Sequence, residues 1–230
     1  NHSCSPNATH AWWPANDGGG GGIHLAVRAV RDIDAGEEVT ISYLDDLMAP
    51  FEERAEALRS RYLFEGAIRR PCDEWLSAVV CGEEEYEVRA PRIIACNQAA
   101  DSSWRRAAAV TQGDDGGVSA EVKRMRMEAV LHYAQLLKLS SGCLHQDHRW
   151  VHNARVRTAM VMTSSKVPRS CANALPLWRA SISAALRCYP PNWPSILPLL
   201  KGGCSAATVA GEPDLCKQWQ AQMDAISKVL

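Results

Sequence analysis

The sequence predicts an α+β protein with its strands first and its helices last. Three observations carry this. Apolar and polar residues alternate over 23–30 and again over 37–43, the period of a strand. Opposite charges recur at i,i+3 between Pro50 and Phe64, the spacing of a helix surface. Beyond residue 119 apolar residues recur at steps of three and four, the stripe of a helix that faces a core.

Each element follows in order. Ile23, Leu25, Val27 and Ala29 alternate with His24, Ala26, Arg28 and Val30, which predicts a strand with one mostly apolar face. Asp34-Ala35-Gly36 makes a turn into a second strand, with Val39, Ile41 and Tyr43 on one face and Thr40 and Ser42 on the other. The run Gly18 to Gly22 lacks the Gly-Lys-Ser/Thr ending of a phosphate loop and reads as a flexible insertion. Glu52, Glu53 and Glu56 beside Arg54, Arg59 and Arg61 predict a helix. Residues 65–118 read as irregular, with loops at Glu83-Glu84-Glu85 and a boundary near 113–118.

Ser119 then caps a helix whose stripe is Val122, Met125, Ala129, Val130, Tyr133 and Leu137. A second helix runs from about Trp150 to Met162, and a third carries Leu175, Trp178, Ile182 and Leu186. Pro190, Pro191 and Pro194 break the chain before a short helix ending near Leu200. Leu215, Trp219, Met223 and Ile226 mark the last helix. Helices of this size joined by short turns resemble an α-solenoid without a strict repeat.

With 230 residues, 47% hydrophobic and 22% charged, the chain can bury a globular core and is not a wholly disordered one. No run of 18 apolar residues occurs, so no membrane span is expected. The net charge of −1 hides an asymmetry. Residues 1–118 carry 11 Lys/Arg against 20 Asp/Glu, and residues 119–230 carry 14 against 6. The simplest reading has the halves facing each other or solvent, and the basic Lys123-Arg124-Met125-Arg126 forming the wet face of a helix without nucleic acid. The nine cysteines are odd in number and include no CxxC pair, which reads as reduced, mostly buried thiols of a cytoplasmic or nuclear protein. His145, His148 and His152 near Cys143 show no recognised metal pattern and read as solvated helix-end histidines. Trp150, Trp178, Trp193 and Trp219 read as core residues, with a peptide groove between helices as the functional alternative.

The most specific signal is a pair of motifs. Asn1-His2-Ser3-Cys4-Ser5-Pro6-Asn7 is followed some thirty residues on by Gly36-Glu37-Glu38-Val39-Thr40-Ile41-Ser42-Tyr43. In order and separation they resemble the NHSCxPN and GEE(I/L)TISY signatures of the SET-domain protein lysine methyltransferases. The helical second half makes the chain similar to the SET-and-MYND subfamily, whose members place a tetratricopeptide-like domain after the SET region. Leu144-His145-Gln146-Asp147-His148 is similar to the start of that subfamily's repeats. The resemblance implies the C-terminal half of a SET domain over 1–64, a degenerate post-SET region and linker over 65–118, and an α-helical tetratricopeptide-like domain over 119–230.

It also implies S-adenosylmethionine as cofactor and a lysine-containing protein, histone or non-histone, as substrate. Methyl transfer from a sulfonium to an amine is an in-line displacement, so alignment and proton management dominate. The lysine must lose its proton before its lone pair can attack, and a desolvated channel beside a cation favours that. A tyrosine hydroxyl both donates and accepts hydrogen bonds. By resemblance Tyr43 is the catalytic tyrosine, Asn1 and His2 hold the adenine end of the cofactor, and Tyr62 and Phe64 close over the adenine and line the lysine channel.

The family also joins the cysteine at the position of Cys4 to a following C-x-C-x2-C segment around a structural zinc. Here Gly66 and Ile68 stand where two of those cysteines fall, and Cys72 is one position out of register. Two cysteines do not make a tetrahedral site. Cys4 and Cys72 are therefore read as remnants and no zinc is expected, although Cys81 or Cys96 could be recruited. The family's Gly-x-Gly cofactor strand lies upstream of the NHSCxPN motif, so the chain reads as a piece of a longer protein. Alone it is expected to bind the cofactor poorly and to be inactive, and its two strands to lack sheet partners. The alternative is a degenerate SET scaffold whose helical domain binds partners.

Overall fold

The computed structural model describes residues 1–14, 23–111 and 119–229. The glycine run and the boundary expected at 113–118 lie outside the described residues. Strand β1 (Ala8–Pro14) pairs antiparallel with β2 (Ile23–Ala29), in register Ala8 to Ala29. Helices α1 (Phe51–Tyr62), α2 (Asp73–Leu76), α3 (Glu83–Thr111) and α4 (Ala120–Ser140) follow. They continue with α5 (Arg149–Ser164), α6 (Pro168–Cys188), α7 (Leu197–Ala210) and α8 (Pro213–Val229). The described residues are thus mostly helical with one small sheet, an α+β arrangement.

The strands differ from the expectation. The partner of β2 is β1, a segment whose Thr9 and neighbouring tryptophans favour extended structure. The stretch 37–43 forms no regular strand. It makes one parallel bridge, Ile41 to His2. Asn7 takes the place of a further strand: its Oδ1 accepts from Thr40 N–H at 2.8 Å, and its Nδ2 donates to the Glu38 carbonyl at 2.9 Å. The apolar face of β2 is not covered among the described residues, for Leu25 and Val27 are 49% and 50% exposed.

Helices α1, α4, α5, α6 and α8 lie where the periodicity places them. Ser119 caps α4 by accepting from Val122 N–H at 3.2 Å. Two stretches correct the sequence reading. The stretch 65–118 is not irregular throughout but holds α2 and the 29-residue α3, and Glu83-Glu84-Glu85 is no loop but the first turn of α3, where three carboxylates favourably meet the positive end of the helix dipole. Helix α7 does not stop near Leu200 but runs on through Gly202 and Gly203 to Ala210. Those glycines admit the indoles of α6 and α8. A Cβ at Gly202 would lie 2.5 Å from the Trp178 ring, and one at Gly203 would lie 2.8 Å from the Trp219 ring. The packing offsets the roughly 1 kcal/mol that each glycine costs a helix interior.

Each helix from α3 to α8 packs on its neighbours in sequence. Tyr133 of α4 donates to Asp101 of α3 at 2.7 Å, and Arg157 of α5 contacts both, so one polar cluster ties three helices. Trp178, Trp193 and Trp219 are buried in the core and Trp150 is half-buried. That core also takes Val30, Leu47 and Met48 from the N-terminal segment. The acidic and basic halves do meet: Arg149 at the start of α5 pairs with Asp46 at 3.1 Å and with Glu53 of α1.

A buried polar node joins the segments. Asp73 accepts from Arg54 at 2.5 Å and from the Arg70 guanidinium at 3.2 Å, and both Arg54 and Asp73 side chains are essentially out of water. Arg70 further donates to the carbonyls of Cys4 at 3.3 Å, Cys188 at 3.2 Å and Leu47. Arg54 donates to the Ala49 carbonyl at 3.1 Å.

The histidines before α5 are also a correction. His148 and His152 are buried, not solvated. His148 caps α5, its Nδ1 accepting from Trp150 N–H at 3.2 Å. His145 stacks on Trp75 with ring centroids 6.1 Å apart. Burial holds both His148 and His152 down at about 4.

Two outcomes follow from this packing. Asp73→Ala leaves two buried guanidinium groups without their carboxylate and is expected to cost about 3–5 kcal/mol in denaturant unfolding. For the histidines, the unfolded chain takes up protons near pH 6.5 while the folded one resists to about pH 4. Their contribution is complete above pH 6.5 and is lost as the pH falls through 4, at roughly 3 kcal/mol for each histidine. The melting temperature should therefore fall between pH 7 and pH 4. His148→Asn, which keeps a capping oxygen, should remove about half of that slope.

Candidate active site

The site is built where the N-terminal motif crosses the stretch before Tyr43. Ile41 N–H donates to the Asn1 carbonyl and Ser3 N–H to the Ile41 carbonyl, both at 2.9 Å. This pattern turns the N–H and C=O of His2 to the opposite side of the segment. The Asn1 amide also donates to Glu38. Beneath lies Asn7, buried, donating to Glu37 Oε1 at 2.9 Å. Glu37 in turn pairs with Arg31 at 2.5 Å and accepts from Asp34 N–H at 3.1 Å. Hydrogen bonds from Arg31 and Asn7 hold the Glu37 carboxyl down at about 2.

His2 is fixed on both ring nitrogens. Its Nδ1 accepts from Tyr43 N–H at 3.0 Å, which places the proton on Nε2, 3.4 Å from Cys4 Sγ. Burial, with the nearby Arg54 charge, lowers its pKa and keeps the ring neutral. Around it stand the aromatics. The His2 centroid lies 5.4 Å from Tyr43 and 6.0 Å, edge to face, from Phe64, and Tyr43 and Tyr62 are 5.2 Å apart. Tyr62 Oη donates to the Tyr43 carbonyl at 3.0 Å. All three aromatics stay more than a third exposed.

The end of α1 aims the last of them. Leu63 takes a left-handed conformation, φ 54°, and its N–H caps Arg59 at 3.1 Å. The chain reverses there, and Phe64 comes back towards His2. Gly66 lets the Phe64 ring fold back over it, since a Cβ there would lie 1.9 Å from Phe64 Cζ and would turn the ring aside.

Of the five residues singled out from the sequence, His2, Tyr43, Tyr62 and Phe64 share one neighbourhood through direct contacts, and Asn1 stands next to His2 in the chain, held by Ile41 and Glu38. The two cysteines do not come together. Cys4 faces His2, whereas Cys72 hydrogen-bonds with Cys188 of α6, a contact that lowers the pKa of Cys72. Cys81 lies 3.1 Å from Cys143, and Cys96 is buried in the core between α3 and α4. No group of three or more His, Cys, Asp or Glu side chains is placed to hold a metal among the described residues. Cys204 and Cys216 are disulfide-bonded across α7 and α8, a correction to the expectation that every cysteine is a free thiol. Sequence reasoning missed Asn7 and Glu37 as organisers of the site. The signal was present in the closing asparagine of the first motif.

Residues 1–44 match the SET domain family model. Histone-lysine N-methyltransferase SMYD3 of Mus musculus is 43% identical over 86 residues, which are 37% of this chain and 18% of that protein. SMYD3 of Homo sapiens is 51% identical over 65 residues, 28% of this chain and 13% of that protein. Histone-lysine N-methyltransferase set5 of Schizosaccharomyces pombe is 36% identical over 89 residues, 39% of this chain and 23% of that protein. The matches thus span less than a quarter of these relatives. Residues 1–44 resemble SET-domain sequence, and the chain resembles the SET-domain protein lysine methyltransferases of the SET-and-MYND kind.

Proposed function

We propose that the protein of which this chain forms the SET-containing part transfers methyl groups from S-adenosylmethionine to a protein lysine, on a histone or another protein. The observation that carries the reading is the contact of Tyr43 with His2 and Tyr62 in a half-exposed aromatic cluster. Such a cluster suits both a flat adenine and a lysine stem, through stacking and cation–π attraction. The cofactor would supply an electrophilic methyl on a sulfonium.

The roles of the chain's residues follow from their surroundings. Both nitrogens of His2 are engaged within the protein, so its backbone and ring face are what it offers to an adenine. Asn1 is steadied by Ile41 and Glu38 beside it. The Tyr43 backbone is clamped on both sides, its N–H by His2 and its carbonyl by Tyr62, which fixes where its hydroxyl can reach. In that position the hydroxyl orients a neutral lysine amine along the line of attack. Phe64 and Tyr62, 40% and 46% exposed in this chain, would exclude water from the amine only once the cofactor and substrate cover them, which would favour its deprotonated form.

The helical part, 119–230, is read as a tetratricopeptide-like module for a peptide partner; of the post-SET remnant and linker expected over 65–118, α3 packs on α4 and is counted with that module. No zinc is assigned to Cys4 and Cys72, because Gly66 and Ile68 stand where two of the family's cysteines fall, and Cys4 contacts His2 whereas Cys72 contacts Cys188. The cytoplasm and nucleus are the compartments that suit such substrates. A second reading, a SET scaffold without catalysis, draws on that same loss of cysteine positions.

Labelled methyl transfer by the full-length protein, on mixed histones and on a lysate, decides between them. Tyr43→Phe should lower incorporation by about 10²-fold or change the number of methyl groups added. Absence of both cofactor binding and incorporation, in a folded protein, would establish the scaffold. The 230-residue chain alone exposes its aromatic cluster, so titration calorimetry should detect no micromolar binding of S-adenosylmethionine. Micromolar binding would show that these residues suffice for a cofactor site.

A further inference from the structure

Six of the nine cysteines fall into contacting pairs, and one pair sits where two turns are held side by side. The turn between α2 and α3 runs against the turn between α4 and α5. Val79 and Leu144 form an antiparallel bridge, Val80 N–H donates to the Cys143 carbonyl at 2.9 Å, and His145 N–H donates to the Ala78 carbonyl at 3.0 Å. These bonds fix the register that brings Cys81 Sγ to 3.1 Å from Cys143 Sγ, although 62 residues separate the two in sequence. Both are free thiols. A disulfide needs its sulfurs at about 2.05 Å, so closure asks the sulfurs to approach by about 1 Å.

The two thiols differ in access. Cys81 is partly exposed, whereas Cys143 is fully buried. Arg89, in the second turn of α3, donates to the Ser141 carbonyl at 3.0 Å; burial and the neighbouring Cys81 push the Cys143 thiol up to about 11, which the Arg89 charge offsets only in part. This is the arrangement of a reacting thiol with a resolving thiol behind it.

We propose that Cys81 and Cys143 form a reversible disulfide, with a peroxide as oxidant, that covalently joins the two turns. The Cys81 thiolate attacks one peroxide oxygen, the O–O bond breaks, and the departing oxygen takes a proton and leaves as water. Cys81 becomes a sulfenic acid. The Cys143 sulfur, giving up its proton, then attacks Cys81 Sγ and displaces the hydroxyl as a second water. Two thiols and one hydrogen peroxide give one disulfide and two waters, and a small dithiol reverses the oxidation. The joined turn leads directly into His148 and Arg149. Arg149 pairs with Asp46 and Glu53, so the bond would brace the contact between the helical part and the SET segment.

The full 230-residue chain is treated with dilute hydrogen peroxide, its free thiols are alkylated, and it is digested with trypsin and a glutamate-specific protease. Cleavage at Glu74 separates Cys72 from Cys81. The expected product is a cross-link between the peptides holding Cys81 and Cys143, two hydrogens lighter than their sum and abolished by dithiothreitol. The melting temperature should rise by about 10 °C on oxidation, and not in Cys81→Ser. Cys143→Ser should accumulate a dimedone-reactive sulfenic acid at Cys81 that the parent chain does not. Accumulation of sulfenic or sulfinic Cys81 in the folded parent chain without the cross-link would overturn the proposal. So would a Cys81 left unmodified while Cys143 stays free.

Discussion

One buried carboxylate sets the conditions for the rest of this structure. Asp73 stands between the guanidinium groups of Arg54 and Arg70, and further donors of the two reach main-chain carbonyls of Cys4, of the Leu47–Ala49 stretch and of Cys188. A buried charge is tolerable only when its partners are all in place. Cys4 of the first motif, Leu47 after the turn and Cys188 at the end of α6 must therefore be assembled together. The N-terminal segment is no separate bead beside a helical array. Its Val30, Leu47 and Met48 sit in the same core as Trp178 and Trp219.

The candidate site inherits its order from that assembly. Nothing in the aromatic cluster is deeply buried, so packing alone would leave its rings free to turn. Direction comes from hydrogen bonds: the Tyr43 backbone is gripped by His2 and Tyr62, and the His2 ring is held between Tyr43 and Cys4. Below them Asn7 and Glu37 hold the two motifs at a fixed separation.

Features that depend on local rules were legible in the sequence. The apolar stripes of α4, α6 and α8 and the cap at Ser119 are local, and they fell where periodicity put them. The five site residues were legible through the motif resemblance, and no count of polar or apolar residues would have chosen Tyr43 or Phe64. Features decided by distant partners were not legible. Helix α7 passes two glycines because indoles from its neighbours fill the space above them. Three successive glutamates start α3 where charge density pointed to a loop. Asn7 replaces a strand partner, so residues 37–43 stay extended without becoming a strand. Nothing in the spacing of Arg54, Arg70 and Asp73 announces that they meet.

The hairpin of β1 and β2 has a bearing on how the chain behaves in company. With Leu25 and Val27 half-exposed on a ribbon that has two strands among the described residues, it presents an apolar face and two strand edges. Natural sheets blunt such edges with charge, bulges or cover. Here Arg28 is the cation at the surface of that strand. A concentrated solution of this chain on its own would thus favour growth of the sheet across molecules, and its colloidal behaviour would be governed by the hairpin and not by the helices that make up most of its mass.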